Sequence, residues 1–110
     1  MKTFYSSVVE LRQEFVTDIE THPYECGWAD EAIFFVEVHA PEPGVRLGLR
    51  VQLSPDGIRW HDEGTVIDTS TSTFARVTHF GGFLRLAGAA HRPDGTAAPA
   101  TISVRLALKG

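Results

Sequence analysis

Val45 to Gly64 reads VRLGLRVQLSPDGIRWHDEG, and this stretch decides the fold. Val45, Leu47, Leu49, Val51 and Leu53 fall on one parity, and Arg46, Gly48, Arg50 and Gln52 on the other. A period of two with one apolar face is that of a half-buried strand. The alternation stops at Ser54-Pro55-Asp56-Gly57, where Pro presets φ and Asp-Gly supplies a residue tolerant of positive φ. The chain is expected to reverse there and restart with Ile58 and Trp60 on a second strand. Asp56 and Gly57 would form the turn, and Trp60 would be a core anchor.

Short apolar runs between turn signals continue in both directions. Upstream, residues 3–10 (TFYSSVVE) read as a first strand, Leu11 to Gln13 as a break and Glu14 to Glu20 as a second strand. A helix competes here, because Val8, Leu11, Phe15 and Ile19 recur at spacings of three and four, but the β-branched residues favour the strand. Tyr24 to Asp30 (YECGWAD) is a loop with two large aromatics. Glu31 to Ala40 (EAIFFVEVHA) is the most apolar strand, with Phe34, Val36 and Val38 on one face and Ile33, Phe35, Glu37 and His39 on the other. That second, mixed face is expected to be covered by the N-terminal segment or by another subunit.

Downstream, Thr65 to Ile67 offers a short strand and residues 68–73 (DTSTST) an exposed connection. Phe74, Arg76, Thr78 and Phe80 then alternate with Ala75, Val77 and His79. Gly81-Gly82 permits a reversal into residues 83–88 (FLRLAG), and a loop with a second Pro-Asp-Gly leads to the last strand, where Ile102, Val104, Leu106 and Leu108 face inward. About eight strands at this spacing define an all-β chain. The expected architecture is a single-domain antiparallel β-sandwich over residues 1–110, jelly-roll-like.

The bulk properties fit one domain: 110 residues, 43% hydrophobic, with a formal charge of −4. Residues 1–63 hold twelve acids and five bases (−7) and residues 64–110 two acids and five bases (+3), and interleaving of the halves would mix these charges. A single Cys26 excludes an internal disulfide. No apolar signal region and no run of about eighteen apolar residues is visible, so synthesis in the cytoplasm without a membrane partner is expected.

Catalytic chemistry finds little footing. Five histidines and the run His61-Asp62-Glu63 lack the spacing of a metal signature, and a Glu37–His39 pair is the remaining metal option. Ser54 reads as a turn residue and Cys26 as a small loop or core residue, with no activating constellation. No glycine-rich phosphate loop is present. No cofactor, no metal and no enzymatic activity are expected. Arg46 and Arg50 share a face, but Glu37 is expected as their cross-strand partner, and Arg76, Arg85 and Arg105 are scattered, so no nucleic-acid partner is expected either.

Ser54, Asp56, Gly57 and Trp60, then Phe80, Gly81, Phe83, Leu84 and Arg85, and the alternation from Ile102 to Leu108 together resemble small β-sandwich structural proteins of tailed-phage particles and phage-derived gene clusters. The resemblance spans about residues 45–110. It implies a head-decoration-like role: a non-enzymatic assembly protein that self-associates as a homo-oligomer or decorates a larger protein shell, with a phage-like particle as destination. Interface candidates are Phe4, Tyr5, Tyr24, Trp28, Ile33 and Phe35, since aromatic anchors dominate such contacts. The Ser-x-Asp-Gly-x-x-Trp hairpin also resembles discoidin-like, galactose-binding sandwiches, which makes a carbohydrate-binding module the alternative. Its ligand would be a glycan held by Tyr24 or Trp28, with Asp30 and Glu31 close in sequence.

Overall fold

A computed structural model describes residues 4–78 and 80–110. Ten strands are seen among them: β1 (Phe4–Phe15), β2 (Asp18–Glu20), β3 (Tyr24–Glu25), β4 (Glu31–His39), β5 (Arg46–Ser54), β6 (His61–Thr69), β7 (Thr73–Thr78), β8 (Phe83–His91), β9 (Ala97–Ala98) and β10 (Ala100–Lys109). One sheet has the order β1-β10-β4-β7, and the other has β2-β8-β5-β6 with β3 and β9 also pairing β8. Every pairing is antiparallel. The eight principal strands thus form two four-stranded layers in which successive strands cross between sheets except at the β5–β6 hairpin, the connectivity of a jelly roll. Strands from both halves of the chain alternate in each sheet, which mixes the opposite charges of the two halves.

Alternation builds the core between the layers. From the first sheet Phe34, Val36, Ile102, Val104, Leu106 and Leu108 point inward, and from the second Ile19, Leu49, Val51, Leu84 and Leu86; all are almost completely buried. Leu106 pairs with Phe34 within the first layer and Val51 with Leu86 within the second, and the inward residues of both layers belong to one apolar cluster.

Several expectations need correction. The N-terminal segment is extended, as expected over the helical alternative, but its break falls at Val16-Thr17 and not at Leu11 to Gln13, so Glu14 and Phe15 belong to β1 and the second strand is only Asp18–Glu20. β1 runs through Leu11 to Gln13 with register shifts between Val8 and Glu10 and between Glu10 and Gln13. Arg12 takes φ 46° there, and its amide donates to Ser103 Oγ at 2.9 Å. The expected break is therefore a bulge that keeps the strand paired while bending it.

The hairpin also differs after its turn. Gly57 has φ 78°, Ser54 Oγ accepts the Gly57 amide at 2.8 Å, and Asp56 Oδ1 accepts the amides of Ile58 and Arg59, each at 2.9 Å. These bonds extend the turn, so the return strand starts at His61, and Ile58 is exposed in the loop. Trp60 is not a core residue. It lies half-buried in the loop with the Arg85 guanidinium 4.2 Å from its ring centroid.

Arg46 and Arg50 do not meet Glu37, because β5 pairs with β6 and β8 and never with β4. Their partners are Asp68 at 2.8 Å and Asp62 at 3.2 Å on β6. Thr3, expected to open the first strand, and His79, expected to alternate with Phe80, lie outside the described residues.

Candidate functional site

The six aromatic and aliphatic interface candidates separate into two groups on either side of β1. Phe4, Ile33 and Phe35 belong to the outer face of the first sheet. Register there gives three rows across the four strands: Phe4, Lys109, Glu31 and Thr78; Ser6, Ala107, Ile33 and Arg76; Val8, Arg105, Phe35 and Phe74. Directly opposed residues project to the same side, so apolar groups from β1, β4 and β7 share one surface. Phe4, Val8, Phe35 and Phe74 are 62%, 51%, 43% and 49% exposed. The rings of Phe35 and Phe74 lie 6.1 Å apart, and the Arg76 guanidinium covers Phe74 at 5.0 Å. Val8 and Phe74 complete this patch although neither was expected in it. Phe74 shares a parity with Arg76 in the sequence, but only the pairing of β7 with β4 aligns it with Phe35.

Tyr5, Tyr24 and Trp28 converge instead on an open recess of about 470 Å³ at the flank where β1 and β3 border their sheets. Tyr5 pairs with Leu108 and Tyr24 with Leu84, both inward positions, and the two tyrosines therefore approach from opposite layers. The neighbouring Tyr24 hydroxyl, then its charge and slight desolvation, raise the Tyr5 hydroxyl above its ordinary value. Glu25 supplies the fourth lining residue; Asp30 and Glu31, expected near a sugar site, do not line it.

Backbone bonds fasten the loop that carries Trp28. The Cys26 amide donates to Gly82 O at 2.6 Å, the Ala29 amide to Cys26 O at 3.0 Å and the Asp30 amide to Lys109 O at 2.7 Å. Cys26 is buried, and its thiol donates to Tyr24 O at 3.2 Å. Burial first, and then the adjacent Glu25 charge, pushes that thiol up to about 12. Such a thiol is not a nucleophile near neutral pH.

A chain of polar contacts crosses the outer face of the second sheet. Asp62 accepts from Gln52 at 3.0 Å, Gln52 accepts from Arg85 at 2.8 Å, and Arg85 lies 3.8 Å from Glu20. Arg46, Arg50, Arg85 and Arg92 each face a carboxylate, so their charge is neutralised within the fold.

One Ser, one His and one Glu do come together, at the end of β4. His39 Nε2 lies 2.8 Å from Ser103 Oγ and 3.2 Å from Glu37 Oε1. A nucleophilic triad needs the acid on one ring nitrogen and the hydroxyl on the other. Here both share Nε2, and Ser103 is only 1% exposed, so the cluster is a packing contact. A cavity of about 320 Å³ opens nearby between the layers, walled by Val38, Val45, Leu47, Ala90 and Ala100. Among the described residues no group of three or more His, Cys, Asp or Glu side chains could hold a metal ion, and no helix is long and apolar enough to cross a membrane.

No protein-family model matches the chain, and no curated protein matches it. Function therefore rests on the surfaces described above.

Proposed function

We propose that this chain is a non-enzymatic assembly protein whose first sheet stacks, outer face to outer face, on a second copy. The observation that carries this reading is the row Val8, Arg105, Phe35 and Phe74, aligned in register and open to solvent. Apolar side chains fixed on a sheet lose little further freedom on docking, which favours association. Four strands about 4.8 Å apart, overlapping for about 25 Å, give a face of about 500 Å² per copy. Two such faces bury about 1,000 Å², the size at which specific interfaces begin. Arg76, Arg105 and Lys109 share the face with Glu31 and Glu37, so a self-complementary, two-fold contact brings both signs of charge to each side. Stacked pairs are the smallest unit of the shell-decorating or phage-particle role implied by the hairpin resemblance.

The test is the double variant Phe35→Glu and Phe74→Glu, compared with wild type by size-exclusion chromatography with light scattering. Wild type is expected to elute as a dimer or larger assembly and the variant as a folded monomer. Equal masses for the two proteins would remove the outer face from the interface.

A further inference from the structure

We propose that the recess between β1 and β3 is an aromatic cage for a methylated ammonium group, the chemistry shared by a choline headgroup and a trimethylated lysine side chain. Among the described residues the recess is lined by Tyr5, Tyr24, Trp28 and Glu25: three aromatic side chains and one carboxylate, with no described cation or side-chain amide. A quaternary ammonium is held by ring faces and a nearby negative charge and needs no hydrogen bond. A sugar makes the opposite demand, since its hydroxyls require several directed partners. Here the described lining brings no side-chain amide, and Glu25 Oε1 already accepts the Gly27 amide at 2.6 Å. The wall therefore offers π-surface and charge but few directed hydrogen bonds.

The cage is also built in advance of a ligand. Gly27 lets the carboxylate close in, because a Cβ there would stand 2.7 Å from Glu25 Oε1. Trp28 is 45% exposed, yet its loop is tied to Gly82 and Lys109 by backbone bonds, and the C-terminal Gly110 sits against its ring, where a Cβ would lie 3.0 Å from Cε3. Preset walls lower the ordering cost of binding. This site is separate from the outer sheet face, so it stands whether or not copies stack there.

The experiment follows the Trp28 indole N–H by NMR in the full chain while choline chloride, a peptide bearing trimethylated lysine, the neutral isostere 3,3-dimethylbutan-1-ol, or galactose is added. Choline or the peptide is expected to shift that resonance saturably, and whichever binds more tightly identifies a headgroup or a protein tail as the source. Affinity, read from the Tyr24 and Glu25 amides, should fall about tenfold or more in Trp28→Ala and severalfold in Glu25→Gln, both at exposed positions. An equal response to the neutral isostere, a response to galactose alone, no response to either ammonium probe, or unchanged affinity in Trp28→Ala would each overturn the assignment.

Discussion

The Arg85 guanidinium lies 4.2 Å from the Trp60 ring centroid while donating to Gln52 Oε1 at 2.8 Å. One side chain thus ties the hairpin loop to β5 and β8. Trp60→Ala is therefore expected to cost about 1–2 kcal/mol, a half-buried ring with a cation over it, and not the 3–5 kcal/mol of an aromatic removed from a core. A double-mutant cycle with Arg85→Ala should give a coupling of about 0.5–1 kcal/mol in chemical denaturation. Additive losses would mean that the two side chains only lie near one another.

Asp56 organises the same loop through its charge. Amides of Arg59 and then Ile58, and the Ser54 hydroxyl, hold its carboxyl below the ordinary 3.8. A carboxylate lowered by folding adds stability above its unfolded value and loses it as pH falls through the folded one. An NMR titration should place the Asp56 midpoint below 3.8, and Asp56→Asn should flatten the acid limb of the pH–stability curve. A midpoint at or above the ordinary value would contradict these bonds.

Gly88 is fixed by close approach. A Cβ on it would stand 1.9 Å from Gly48 O and 2.9 Å from Leu49 Cα, backbone atoms that cannot rotate aside. Gly88→Ala is expected to lose about 3 kcal/mol or more. Across the pair, Gly48→Ala meets only Ala89 O at 3.8 Å and should be tolerated. Equal melting temperatures for the two variants would refute this asymmetry.

Why the fold was legible and the surface less so follows from what each depends on. Alternation over residues 46–51 and in Ala100–Lys109 reports which side chains face the core, and one buried face suffices to produce it, but past the irregularity between Arg50 and Gln52 it is Gln52 and Ser54 that are buried and Leu53 that is half-buried. Those runs gave two antiparallel layers directly from residues such as Leu49 and Leu106. The hairpin ran past Gly57 because Asp56 captures two further amides, a local competition that periodicity does not contain. Pairing partners were hidden as well. Arg50 meets Asp62 rather than Glu37 because a jelly roll sends the chain to the other layer between β4 and β5. Phe74 joins Phe35 for the same non-local reason, and Glu25 reaches the aromatic recess only because β3 docks beside β8.

Cys26 should behave as a closed thiol. With its thiol pushed up to about 12, chiefly by burial, a disulfide reagent at pH 8 is expected to label the native protein slowly and the denatured protein at once. Fast stoichiometric labelling of the native state would mean that the Tyr24–Trp28 loop opens readily.

Stacking of the first sheet is tested most directly by sedimentation equilibrium of the wild-type chain over a hundredfold range of concentration. Pairing through Phe35 and Phe74 predicts a concentration-dependent rise from the 12.1 kDa chain to at least twice that mass. A constant mass of one chain across the whole range would contradict it.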